Sequence, residues 1–538
     1  MVLKHFLFSA GDFNMWEALG LSYFVGGFCL IAILAVLGSL VFTIDDLWVD
    51  FCAAFFRLKP RELSFKDEFR LRNLKQKRIA IMVASWQEHQ IIERMVEGNI
   101  AQIEYQNYTF FLGVYPNDHK TLEVALRLQR EHSNVIVVIN SKNGATTKGQ
   151  MLNEIVRTIL NAERATGLTY DLFLMQDSED VLHPLALQVI NEASLKADFV
   201  QTPVFSFDVP FTGWTRGTYL EEFSEGHTKD LLVRERLGAA IPSAGVGTAL
   251  SRRLVLAYTF RTGGRLLRED TLTEDYDLGL RTKALGLKSK FVCCYRTDLN
   301  GNRDFVATRE FFPSTVKASI RQKTRWTLGI AFQGRDNLGW DGEWIDRYFF
   351  FRDRRGPLNG IVMILGLITL AGFLLSMLGL FDLPHLLHTS LFVALAALNG
   401  FNMLVRVFQR ARCVARVHSA KHVWAVPIRW PVGMWINAMA SFHAFKNYHS
   451  AKRSGEVPRW EKTAHELPAS FGILPQAKLY DEISFSQESP GASTPESFGA
   501  ASMSSSGATP VRQTFAATSN FSKIQPFVIG QSMEQSNL

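Results

Sequence analysis

The sequence predicts an α/β protein, a mostly parallel sheet flanked by helices and joined to membrane helices. Between Ile79 and Met175, short apolar runs alternate with helix-compatible stretches, the rhythm of strand–helix–strand crossovers. Long apolar segments without a charge lie on both sides of the soluble stretch, with clusters of Lys and Arg beside them. The bulk numbers agree, with 538 residues, 47% hydrophobic content and a formal charge of +7. Such a chain is too long for one small core. Because its basic residues sit next to apolar segments, the charge points to the cytoplasmic face of a membrane and not to nucleic acid. The five cysteines, Cys29, Cys52, Cys293, Cys294 and Cys413, have no metal-ligand spacing or paired framework and are expected as reduced thiols.

Residues 1–45 contain an apolar run at 18–42, long enough to cross a bilayer. With Lys4 as the one clear positive charge before it and no small-residue cleavage site after it, a transmembrane helix is favoured over a cleaved signal peptide. Residues 46–78 read as a basic cytoplasmic linker carrying Arg57, Lys59, Arg61, Lys66 and Arg70 among others. The soluble domain is placed at 79–345. Its strands are expected at 79–84, 109–114, 135–139 and 172–175, and its helices at 91–100, 122–130 and 150–162. Neither GxGxxG nor GxxxxGK[ST] occurs, which argues against dinucleotide and P-loop sites. In the membrane region, 346–446, apolar spans at 358–380 and 386–405 read as two transmembrane helices. The stretch 424–445 is broken by Pro427, Arg429 and Pro431 and followed by Lys446, Lys452 and Arg453. An interfacial helix fits it better, because spanning would export those charges. A post-membrane segment, 447–475, precedes a tail, 476–538, whose Ser, Gly, Thr, Pro and Gln content predicts disorder.

The chemistry concentrates where strands give way to helices. The strand at 172–175 ends in Asp177, Ser178, Glu179 and Asp180, three carboxylates in four residues at the edge where open α/β sheets bind ligands. A hard divalent cation would relieve their repulsion, and a solvated turn is the plain alternative. Ser85-Trp86-Gln87-Glu88 follows the first strand, Asn117-Asp118 the second, and Lys148 with Asn153 opens the helix after the third. Ser243 to Ala249, SAGVGTA, carries two glycines that suit either a close backbone approach or an ordinary turn. Thr273-Glu274-Asp275 precedes a helical pattern, and in isolation helix capping by Thr273 is its simplest reading. Gln322, Arg325 and Trp326 in QKTRW share one helical face, which could equally be a basic amphipathic helix on a membrane.

Taken together and in order, these motifs resemble the processive-type family-2 glycosyltransferases over roughly residues 79–334. Asp177-Ser178-Glu179-Asp180 with His183-Pro184, Thr308 to Pro313, Arg321 to Gly334, and Trp460-Glu461-Lys462-Thr463 with His465 look like the inner-membrane phage adsorption protein B group within that family. The resemblance implies a GT-A (Rossmann-like) fold and inverting transfer of a sugar from a nucleotide-diphosphate sugar, a UDP-sugar, to a growing glycan. It implies Asp275 as general base with Glu274 orienting it. Glu88 and Asp118 would hold the nucleoside, and Lys148 the phosphates. Gln322 and Arg325 would bind diphosphate or acceptor, and Trp326 would offer an acceptor platform. Asp177, Glu179 and Asp180 would hold Mg²⁺ or Mn²⁺, with Glu179 standing where the family usually has a second aspartate. The expected partners are the donor, a glycan or lipid-linked acceptor, membrane lipids and an export protein. The expected location is a bacterial inner membrane, multi-pass, with the catalytic domain cytoplasmic. Two other readings stand beside it, single-sugar transfer to a polyprenyl phosphate and a nonenzymatic receptor or assembly protein.

Overall fold

Ile79–Ala84 and Tyr108–Val114 are apolar or small at nearly every position and buried along almost their whole length, the mark of strands covered on both faces. In the computed structural model they form the centre of the main sheet. The structure describes residues 15–298, 301–380 and 382–455, which belong to one compact unit, Met1–Ala477. The Trp460 to Thr463 and His465 elements, the segment beyond Gly455 and the tail lie outside the described residues.

The strands are β1 (Arg61–Glu62), β2 (Ile79–Ala84), β3 (Tyr108–Val114), β4 (Val135–Ile139), β5 (Leu172–Gln176), β6 (Val181–Leu182), β7 (Phe199–Gln201), β8 (Val204–Ser206), β9 (Thr248–Ser251), β10 (Ser289–Phe291), β11 (Cys294–Thr297), β12 (Arg303–Phe305) and β13 (Thr308–Glu310). Among the described residues, seven of them pair in the order β10-β7-β9-β5-β2-β3-β4. β9 runs antiparallel to both neighbours and every other pairing in this sheet is parallel. A small sheet, β6-β13-β8, folds the acidic turn after β5 against Thr308–Glu310. The helices Ile92–Gln102, His119–Glu131 and Ala186–Ala193 pack on one face of the main sheet. Lys148–Thr166, Arg252–Arg261 and Glu274–Ala284 pack on the other. The chain lays β2, β3 and β4 side by side and then returns to place β5 on the far side of β2. That reversal opens a crevice beyond the strand ends, the usual ligand position in such folds.

Helix Lys148–Thr166 is set by its ends and by one glycine. Thr147 caps it by accepting the Gln150 N–H, and Gly167 ends it at φ +72. A Cβ on Gly113 of β3 would fall 2.6 Å from Met151 Sδ, so glycine lets the helix lie close to the sheet and brings Lys148 to the strand ends.

Residues 46–78 differ from the expected linker. The first helix runs Met15–Phe55, well past the apolar run, and is followed by β1, paired with β11, and a capped helix, Phe65–Asn73. Its extra turns continue because Asp45, Asp46 and Asp50 have partners. Asp45 binds Arg352, Arg355 and the Tyr348 hydroxyl, while Asp46 accepts from Arg355 at 2.6 Å. Asp50 accepts from Lys229 at 2.5 Å and Arg406 at 3.0 Å, and Glu225 accepts from Lys229, Arg406 and Arg410 at 2.7, 2.5 and 2.9 Å. Part of the basic bias beside the apolar spans is therefore spent on buried ion pairs.

Among the described residues, three helices are long and apolar enough to cross a membrane, Tyr23–Phe55, Gly356–Met377 and Ser390–Val417. Ala420–Ser454 is a continuous helix despite Pro427 and Pro431, which lie four residues apart on its exposed side. It turns His422, Arg429, Ile436 and Ala440 inward and exposes Trp424, Ile428, Trp435, Phe442 and Phe445.

Glu225→Gln would leave Arg406, Arg410 and Lys229 buried with too little opposing charge. The expected cost is about 3–5 kcal/mol, the range for breaking a buried ion pair. Thermal unfolding of the detergent-solubilised chain reads it, and an unchanged transition would show the network to be dispensable.

Candidate active site

The crevice is built from loops at the strand ends. Ser85, after β2, shares a hydrogen bond with Ser178 at 2.9 Å, which ties the SWQE turn to the acidic turn after β5. Trp86 meets the Tyr115 ring edge-on at 5.2 Å, and Asn117 exchanges two hydrogen bonds with Gly144. These contacts make one wall partly aromatic. Glu88 is buried in the same turn, where its N–H donates to Thr121 Oγ1 at 3.0 Å. Asp118 caps helix His119–Glu131. One carboxylate oxygen accepts the Gln87 N–H at 2.5 Å and the other the Thr121 N–H at 3.4 Å. Its carboxylate thereby braces the turn at Gln87, which has φ +57, at the mouth of the crevice.

The centre of the site is Lys148. Its ammonium lies 2.5 Å from Asp177 Oδ1 and donates to the Gly245 carbonyl at 3.3 Å. Gly245, at φ +80, closes the other side, where an added Cβ would stand 2.8 Å from Asp275 Oδ2. SAGVGTA is thus a close approach and not an ordinary turn. Glu274 and Asp275 occupy the first turn of Glu274–Ala284, where the helix dipole favours negative charge. Thr273 stands at the N-cap position but makes no capping bond. Its Oγ1 is buried without a partner, and the hydroxyl occupies space that a side chain at Gly329 would need. The motif is accordingly more than a cap.

Burial works against the Lys148 charge, but Asp177, Glu274 and Asp275 outweigh it and hold the pKa above the ordinary lysine value. Burial and the neighbouring Asp275 push Glu274 up to about 7, against the pull of Lys148. Asp275 is raised by burial, opposed by Lys148 and by the Tyr276 N–H.

Asp180 accepts the Asp177 N–H at 2.6 Å, is almost wholly buried, and is raised well above the ordinary aspartate value by burial and by Asp177, Glu310 and Glu179. Asp177, Glu179 and Asp180 do not converge on one point. Among the described residues, the trio of His, Cys, Asp or Glu with ligand atoms within 4.8 Å of one another is Glu97, Glu131 and His132, with both glutamates exposed, as solvated surface charge often is. The donor set nevertheless fits a hard cation. Asp177 is 31% exposed and already meets one positive group, and Asp180 Oδ1 is buried without a partner. Mg²⁺ commonly binds through one or two carboxylates plus substrate phosphates.

Helix Val316–Thr327 supplies the last wall. Lys323 donates to Glu222 at 2.6 Å and Asn437 at 2.9 Å, and Thr324 to the Ala440 carbonyl at 3.4 Å, which fixes one face on Ala420–Ser454. Arg325 lies near enough to Glu274 to stabilise its anion. Gln322 Oε1 is buried without a partner. Half-buried Trp326 meets Tyr219 and Phe223 at 6.0 and 6.2 Å. Residue patterns had not singled out Tyr115 and had given Trp86 and Ser178 no role of their own, since these roles depend on contacts between separate loops.

A mostly parallel sheet with a carboxylate-rich site at its strand-order reversal and a following QxxRW helix defines a GT-A-like glycosyltransferase domain. Residues 76–329 match the model described as "Glycosyltransferase like family 2", and the chain carries a domain of that family. It is 32% identical over 473 residues to the Bacteriophage adsorption protein B of Escherichia coli (strain K12) and, at the same identity, to the Bacteriophage N4 adsorption protein B of Escherichia coli O157:H7. These matches cover 83% of this chain and 63% of each relative. The chain thus spans less than two thirds of the length of those relatives. Among solved structures, a mannosyltransferase from Pyrobaculum calidifontis in complex with GDP-Man and Mn²⁺ is similar at a TM-score of 0.44 and 13% identity, covering 75% of this chain and 98% of that one.

As pH falls through about 7 the Glu274–Asp275 pair takes up a proton. If Asp275 must be ionised to act, transfer declines on that limb. Glu274→Gln removes a negative neighbour, so the Asp275 pKa drops and the acidic limb of the rate profile moves to lower pH. A limb that stays in place would show that this pair does not set it.

Proposed function

We propose that the chain is an inverting glycosyltransferase that moves a sugar from a nucleotide-diphosphate sugar, a UDP-sugar, to a growing cell-surface glycan or exopolysaccharide. We place it at a bacterial inner membrane, crossing it more than once, with the catalytic domain on the cytoplasmic side. The observation that carries the reading is the Lys148 ammonium shared by Asp177 on one loop and Glu274 and Asp275 on another. This puts a carboxylate suited to proton removal beside a group suited to a diphosphate.

In this reading the acceptor hydroxyl attacks the anomeric carbon from the face opposite the diphosphate and gives its proton to Asp275 as the bond to the leaving oxygen breaks. Glu274 and Lys148 set the charge around Asp275. Lys148, moving from Asp177 toward the donor, together with Arg325 and Gln322, meets the negative charge that develops on the diphosphate. A divalent cation such as Mg²⁺ or Mn²⁺, when held by Asp177, would neutralise part of that charge. Trp86 and Tyr115 offer the nucleoside an aromatic wall with Glu88 beneath it, and Trp326 offers the acceptor sugar a face.

Membranes carrying the parent or Asp275→Asn, supplied with radiolabelled UDP- and GDP-sugars and Mg²⁺ or Mn²⁺, test this. The parent is expected to incorporate one sugar into high-molecular-weight product and the variant to lose at least about 100-fold in rate, the weight of a general base. A short lipid-linked product would make the chain a carrier-loading enzyme. Equal activity in the variant, or no donor consumed by the parent, would contradict the assignment.

A further inference from the structure

A second cavity, of about 460 Å³, lies where the ends of helices Met15–Phe55 and Ser390–Val417 meet β11 and β12. None of the residues assigned to sugar transfer lines it. Six cations do, Arg57, Lys59, Lys229, Arg303, Arg412 and Arg416, against the single carboxylate of Asp50. That carboxylate is already taken by Lys229 and Arg406. Arg416 donates to the Thr228 carbonyl at 3.2 Å. Arg57, Lys59, Arg303 and Arg412 are exposed and have no carboxylate partner among the described residues. Positive charge here exceeds what the fold uses, and the volume falls within the usual range of ligand pockets.

The surroundings say what kind of anion fits. On the turns of the first helix that approach the cavity, Trp48, Phe51 and Phe55 form an exposed ladder with centroids 5.7 and 5.5 Å apart. Phe408, one turn before Arg412, is 66% exposed. Aromatic rings at the end of an apolar span, beside unpaired cations, suit an amphiphile at headgroup depth. A freely soluble anion would have no use for the rings. We propose that this cavity binds the phosphate headgroup of an acidic phospholipid, with its acyl chains along Phe51, Phe55 and Phe408. The inference rests on the membrane placement of the two helices and not on the transfer reaction.

The test uses the full chain extracted in detergent and challenged with phosphatidylglycerol, cardiolipin or phosphatidylcholine, with bound lipid counted by native mass spectrometry. The parent is expected to retain the two acidic lipids over phosphatidylcholine. Arg57→Gln/Arg412→Gln and, separately, Lys59→Gln/Arg303→Gln should each lower that retention about tenfold or more, as the loss of two cations near a phosphate surface predicts. All four side chains are exposed, and an unfolding transition matching the parent's confirms the fold of each variant. Retention without preference for acidic lipid, or retention unchanged in both variants, overturns the proposal. If inorganic pyrophosphate binds the parent and loses affinity in the variants while acidic lipid is not retained, the site serves a soluble phosphate and the lipid assignment falls. Alkaline carbonate extraction of membranes reads the membrane placement by itself, so failure there is distinguishable from failure of the lipid site.

Discussion

Lys148 presents a half-buried ammonium to carboxylates from two loops, and the geometry of the strand-end crevice depends on it. At the start of a helix a lysine is poorly placed, because the dipole there favours negative charge. Asp177, Glu274 and Asp275 reverse that balance. Two like charges about 4 Å apart repel by about 4 kcal/mol at the effective dielectric of a protein surface, so such a set holds together only around a cation. The position follows from small features of sequence: the close helix packing allowed at Gly113, the cap at Thr147, and the positive φ at Gly245 that lets backbone lie against Asp275. The same arrangement suits the proposed chemistry, since a diphosphate would compete with Asp177 for the lysine.

The site is braced from behind by charged and polar contacts to the helices that follow it. Lys323, inside the QxxRW motif, is bound to Glu222 and Asn437, and Asn437 donates to Glu222 at 3.0 Å. Three residues along the same helix as Glu222, Glu225 accepts from Arg406 and Arg410. Helix Trp214–Glu225 therefore joins the motif helix to the apolar helices, and Gln322, Arg325 and Trp326 inherit their positions from that bracing.

Much of this could be read from the chain. Strands at 79–84 and 135–139 match β2 and β4 in full, because both are short unbroken apolar runs; β2 is buried on both faces, whereas β4, at the sheet edge, is only partly buried. The pairing of β6, β8 and β13 could not be read, since two or three residues carry no period and their partners lie more than a hundred residues away in some pairs. Asp275, Glu274, Lys148 and Asp177 were found by pattern and do come together. The backbone bonds of Asp118 and Asp180 could not be read: a carboxylate next to a turn can serve the backbone as well as a ligand, and sequence does not say which N–H groups need an acceptor. The first helix was cut short at its aspartates, whose basic partners sit some three hundred residues further along.

The most direct test is a cryo-electron microscopy map of the full chain in lipid nanodiscs with UDP and Mn²⁺. This account predicts diphosphate density between Lys148 and Asp177, with the base toward Trp86 and Tyr115 and Asp275 facing the open side. Diphosphate bound elsewhere, or an empty crevice at saturating UDP, would contradict it.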